Sequence, residues 1–324
     1  MRRRNLLLAS AGSAVGCSSV PLGMPLFSDD AVTQLLCPPS PEQGYNFPFI
    51  LQVPARGTAS LPHLLVETNN SGPISSEFDP HIQPTSELAR EGLGGRVSQL
   101  LSAPLLMPVF PREPTLYTHS LGRTTLITDR NALKRLDLQL LAMTRDAKRN
   151  LIMQGHGLRS RVVLTGFSAS AMFATRLAAL HPTEVAAVAA GGLNGFVILP
   201  AERLSDRRLP FPIGVSDLRE LSGRTFDEGA WRTVPQFLFM GATDTNDAVD
   251  FEDSYSSVER ETIHTLLGKK MIPDRWQACE RVYRDFRAPA RFKTFAGLGH
   301  GTNRAVHQEC AAFILETTTR LPLR

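Results

Sequence analysis

The chain has 324 residues, 42% hydrophobic and 20% charged, which supplies apolar material for a sizeable core and excludes wholesale disorder. Its net charge of +4 is concentrated at the start, where Arg2, Arg3 and Arg4 precede the first acid, Asp29. Without residues 1–16, the 35 basic residues lose these three arginines and 32 face 31 acidic ones, so the remainder offers no basic surplus for a nucleic-acid partner.

In chain order, the three arginines are followed by a short apolar run, Leu6 to Gly16. The run is too short to cross a bilayer and has the layout of a secretory signal. It ends in Ala14-Val15-Gly16-Cys17, which resembles a bacterial lipobox, and the arginines with Leu6 and Leu7 also resemble a twin-arginine signal. This resemblance implies export to the cell envelope or periplasm, with a lipid anchor at Cys17 as the contact with a membrane. After Cys17 there remain Cys37, Cys279 and Cys310, an odd number. Cys279 and Cys310 fall on two expected helices and are candidates to pair in an oxidising compartment. No Cys/His spacing suggests a zinc site.

Residues 18–43, rich in Pro, Ser and Asp, read as a linker, and a single folded domain follows over 44–324. FPFILQVPA reads as a strand ending at an Arg56-Gly57 turn. HLLVET, 63–68, is a second strand, closed by Asn69-Asn70-Ser71-Gly72. A glycine-interrupted helix is expected over 86–101, then the strand LLMPVFPR. Leu133, Leu136, Leu140, Met143 and Ala147 recur at helical steps within 131–153. Strands at 161–165, 184–192 and 235–241 are apolar throughout, and helices are expected at 169–180, 258–268, 274–286 and 303–318, with a last strand at ARFKTF. Strands alternating with helices predict an α/β fold with a mostly parallel sheet covered on both faces.

Residues 166–170, Gly-Phe-Ser-Ala-Ser, lie at a strand-to-helix junction, the context of a nucleophile elbow. Such a turn lifts the serine above the sheet and needs small neighbours; Gly166 and Ser170 are small, although Ser170 stands where glycine is usual. The competing explanation is a serine that merely caps the helix. A nucleophilic serine also needs a base and a carboxylate, in the order Ser, acid, His on this kind of sheet. Asp244, Asp247 and Asp250 follow the strand 235–241, and the pattern Gly241-x-x-Asp244 favours Asp244 over Asp247. His300 follows the last strand in a loop containing Gly297, Gly299 and Gly301. The oxyanion donors expected are the backbone N–H of Ala169 and one from Asn69 or Asn70.

The segments VETNNSG, LTGFSASAMFATRLAALHP, FMGATDTNDAVDFEDSY and FAGLGHG together resemble the α/β-hydrolase superfamily, in particular exported bacterial esterases related to polyhydroxybutyrate depolymerases and feruloyl esterases. The resemblance spans about residues 45–320. It implies Ser168 as nucleophile, Asp244 as acid, His300 as base, an ester substrate and no cofactor. Residues 193–232 are expected to form a lid, with Phe196, Ile198, Phe211, Phe226 and Trp231 either lining an apolar pocket or packing the lid to the body. The same triad serves peptidases and acyltransferases, and an inactive hydrolase fold used for binding is a reading of another class.

Overall fold

The computed structural model describes residues 23–55, 61–70, 72–251 and 253–319. The expected signal segment 1–17, its lipobox cysteine and the turn at Arg56-Gly57 lie outside these residues. Among the described residues no helix is long and apolar enough to cross a membrane.

Nine strands form one sheet: β1 (Met24–Ser28), β2 (Val32–Cys37), β3 (Phe49–Pro54), β4 (Leu65–Val66), β5 (Leu105–Pro108), β6 (Val162–Phe167), β7 (Val185–Gly191), β10 (Gln236–Gly241) and β11 (Ala290–Phe295). A separate two-stranded ribbon is made by β8 (Arg203–Leu204) and β9 (Arg207–Arg208). The spatial order is β1-β2-β3-β5-β4-β6-β7-β10-β11. Pairing is antiparallel from β1 to β5 and parallel from β5 to β11.

Helices α1 (Asp79–Glu91), α2 (Leu93–Leu101) and α10 (Arg304–Thr319) cover one face. The other face carries α4 (Leu136–Met153), α5 (Ala169–Leu180) and α9 (Trp276–Asp285), with α3 (Arg123–Ile127), α6 (Leu218–Ser222), α7 (Glu228–Trp231) and α8 (Ser257–Leu267) at its margins. Both covers explain why the parallel strands are apolar throughout: in β10, Leu238 and Met240 face one core while Phe237 and Phe239 face the other. Each such side chain contributes roughly 1.5–3 kcal/mol on burial.

Two expectations are corrected. Residues 18–43 are not simply a linker, because β1 and β2 extend the sheet at its antiparallel edge; the Asp29 carboxylate accepts the N–H groups of Ala31 and Val32, 2.8 Å each, and turns the chain between them. Cys279 and Cys310 do not pair: both are free and buried, Cys279 in the core under α5 and Cys310 in the core on the opposite face of the sheet. Of the two readings for the aromatics of residues 193–232, packing onto the body is the one seen. Phe196, Ile198, Phe211 and Trp231 are buried in the α5-side core and Phe226 packs against it. Tyr283 donates to the Ile198 carbonyl at 2.9 Å, Arg275 Nε to the Gly195 carbonyl at 2.9 Å, and α7 packs on the 182–184 turn at the end of α5 remote from Ser168. Burial of these large apolar groups against the body is what holds the segment down.

Candidate active site

Because β4, β6, β10 and β11 run parallel, the loops leaving their carboxyl ends open on one edge of the sheet, where ligands bind in open α/β folds. Asn69 and Asn70 follow β4, Ser168 follows β6, Asp244 follows β10 and His300 follows β11.

Ser168 has φ 62° and ψ −125°, a backbone conformation that costs a non-glycine residue on the order of 1–3 kcal/mol. Its N–H donates to the Gly191 carbonyl at 3.0 Å, and its carbonyl accepts the first α5 bond from Ala171 at 3.1 Å. Gly166 is required by close approach, since a Cβ there would lie 2.5 Å from the Ser170 carbonyl oxygen. Ser170 fits the position where glycine is usual: its hydroxyl accepts from the Phe167 N–H and donates to the Phe167 carbonyl, both at 2.8 Å, so it ties the turn to itself.

The acid and base loops are pressed together. A Cβ on Gly241 would sit 2.3 Å from the Gly299 carbonyl, and Thr243 donates its N–H to the Leu298 carbonyl at 3.0 Å. Of the three loop glycines near the histidine, Gly297 adopts the left-handed region, φ 70°. His300 Nδ1 lies 2.9 and 3.1 Å from the two Asp244 carboxylate oxygens, and its ring sits 4.7 Å from that of Phe167. The Asp244 side chain is buried and that of His300 is 28% exposed. Asp247, the other acid weighed, is turned away: it forms an ion pair with the buried Arg275 and accepts the Val249 N–H at 3.1 Å. Asp250 reaches His264 at 3.4 Å.

Ser168 and His300 are joined through a residue that sequence reasoning missed. Asn246 Nδ2 lies 3.0 Å from His300 Nε2 and 3.4 Å from Ser168 Oγ. It lies within a run of acids, and its signal in the sequence is the Asp-x-Asn spacing, which suits a local turn.

At the expected oxyanion donors, Ala169 begins α5, so its N–H is among those a helix leaves without an internal partner. The Asn69 side chain is a strut, donating to the Phe110 carbonyl at 2.8 Å and accepting the Phe110 N–H at 3.1 Å. The Asn70 carboxamide donates to the Phe167 carbonyl and ties the β4 loop to the serine turn. Among the described residues no hydrogen bond engages the backbone N–H of Asn69 or of Asn70. His119 donates from Nε2 to the same Phe110 carbonyl at 3.0 Å; burial pushes its imidazole down to about 4 and keeps it neutral. Tyr117 packs against Ala169 and Ala248 and receives a hydrogen bond from Asn194 at 3.1 Å, forming one wall of the site.

A second carboxylate–histidine pair, Asp137 and His181 at 2.8 Å, joins the far end of α5 to the start of α4. Burial of Asp137 opposes its ionisation, but His181 and Arg135 outweigh it and bring the carboxyl down to about 2. Among the described residues no group of three or more His, Cys, Asp or Glu side chains could hold a metal ion.

No protein-family model matches the chain, and no curated protein matches it in sequence. Solved structures do match. A poly(aspartic acid) hydrolase-1 from Sphingomonas sp. KT-1 superposes with a TM-score of 0.56 at 14% identity, over 89% of this chain and 99% of that one. LpqC, a poly(3-hydroxybutyrate) depolymerase from Bordetella parapertussis, gives a TM-score of 0.52 at 18% identity, over 91% of this chain and 93% of that one. The chain has the α/β-hydrolase fold. In an α/β-hydrolase fold the loops after these strands are where a nucleophile, an acid and a histidine converge, and here they bring Ser168, Asp244 and His300 to one edge of the sheet.

Proposed function

We propose that this protein is a serine hydrolase that cleaves carboxylic esters through an acyl-enzyme. The observation that carries the reading is the chain of contacts from the Ser168 hydroxyl, through one carboxamide, to an imidazole whose other nitrogen is held by Asp244.

Ser168 Oγ attacks the ester carbonyl while His300 Nε2 takes its proton. Asp244 keeps the remaining proton on Nδ1 and stabilises the imidazolium that forms. The developing oxyanion sits against the Ala169 N–H and that of Asn69 or Asn70, each donor supplying roughly 3 kcal/mol of transition-state stabilisation. His300 then protonates the departing alcohol. Water, deprotonated by the same nitrogen, attacks the acyl-enzyme, and the acid product leaves Ser168 free. Peptidase or acyltransferase activity would use the same intermediate, and a panel of p-nitrophenyl esters, peptide anilides and alcohol acceptors separates the three. Export, with attachment to a membrane through a lipidated Cys17, is part of the proposal and rests on the N-terminal sequence alone.

The test is labelling by a fluorophosphonate followed by mass spectrometry of the modified peptide. Wild type is expected to carry the adduct on Ser168, and Ser168→Ala to carry none. A folded wild type that stays unmodified and turns over no ester would instead favour a catalytically inactive binding protein.

A further inference from the structure

Resting on that reading of the site, we propose that Asn246 is a positioning residue that latches the base: its carboxamide occupies His300 Nε2 in the free enzyme and has to turn aside before Ser168 can pass its proton there. Asp244, as a carboxylate, takes the proton on His300 Nδ1. Nε2 therefore presents a lone pair, and the group facing it at 3.0 Å must be a donor, the Asn246 amide. The same amide nitrogen lies 3.4 Å from Ser168 Oγ. No hydrogen bond joins Ser168 to His300 directly among the described residues. The acceptor of the proton transfer is thus already engaged. The base has its lone pair filled, and the Ser168 O–H, still free to donate while its oxygen accepts from Asn246, does not find that lone pair open.

The latch has a fixed hinge and a free arm. The Asn246 N–H donates to Asp244 Oδ1 at 2.9 Å, which anchors its backbone to the acid. The next residue, Asp247, is held by Arg275 and by the Val249 N–H. Motion is therefore left to the side-chain torsions of Asn246, which is half-buried beside the partly exposed imidazole. A substrate entering the cleft meets this side chain, and any substrate oxygen can take over the amide hydrogens as it swings. Base activation is then coupled to occupancy of the site.

Asn246→Leu keeps the volume and removes the donor, and Asn246→Ala removes both. Two measurements test the latch. In protein carrying ¹⁵N-histidine, the His300 Nε2 resonance is expected to be indifferent to Ser168→Ala in wild type, to move in Asn246→Leu, and to respond to Ser168→Ala once Asn246 is leucine. Labelling of Ser168 by a short-chain alkyl fluorophosphonate is expected to run about 2- to 10-fold faster in both Asn246 variants at unchanged Tm, the factor carried by one hydrogen bond of ordinary net strength. Wild type that is labelled on Ser168, with variants of unchanged Tm labelled no faster, would overturn the latch and leave the hydrolase intact. A resonance that follows Ser168→Ala in wild type would do the same. Wild type that is never labelled would overturn Ser168 as nucleophile and the latch with it.

Discussion

Asp244 and Asp247 are the same side chain three positions apart, and their surroundings give them different work. Asp244 orients the imidazole at 2.9 Å, whereas Asp247 neutralises a fully buried guanidinium. Asp244→Asn is expected to lower kcat by on the order of 10³- to 10⁴-fold through loss of the productive tautomer, with little change in stability. Asp247→Asn leaves Arg275 buried without its carboxylate, and is expected to cost about 3 kcal/mol in urea unfolding while a folded sample keeps kcat within a few-fold. The reverse pattern would exchange their roles. Glu67 supplies a pH signature of its own. Burial pushes its carboxyl from 4.5 up to about 7, against the Thr165 hydroxyl and the Gly94 amide. The folded state therefore holds a proton that the unfolded chain gives up near pH 4.5. Stability falls as pH rises between those two values and is level above them, by a total of about 3 kcal/mol. Glu67→Gln is expected to flatten this slope and to be more stable than wild type at pH 8, as read from urea midpoints at pH 5 and pH 8.

At the level of elements, legibility followed local signals. The strands and helices around the serine, β6, α5, β10 and β11, carry unbroken apolar runs or helical spacing, and they lie where those patterns predict. The interrupted helix was visible as an interruption, but its first half begins earlier, at Asp79, and contains Pro84; the break falls at Gly92, where a Cβ would lie 2.6 Å from the Leu88 carbonyl oxygen. The hairpin β1–β2 was illegible. The prolines and serines that flank it in 18–43 mask the short strand Val32–Cys37, and it is ordered by pairing to β3, a partner that local composition does not announce. The 193–232 segment was recognised as an insertion, yet where its aromatics settle depended on α9 and the 182–184 turn, both distant in the chain.

Across the whole molecule, the sheet divides the interior into two cores, and that division decides the fate of the cysteines. Cys37 and Cys279 lie in one core and Cys310 in the other, all three buried. Burial pushes each thiol up, that of Cys279 to about 12. In urea without reductant these residues are expected to contribute three titratable thiols, and in the native protein to react slowly; a count of one would mean that two of them pair after all. The order of chemical groups along the chain, serine then acid then histidine at strand ends, was determined by the sequence itself, because turn residues and apolar runs act locally. Which of two acids meets the histidine, that Asn246 stands between base and serine, and which cysteines share a core were decided by strand order and loop crossing. Those contacts join residues far apart in the chain, and the free energy of such a contact exists only once the sheet has brought them together.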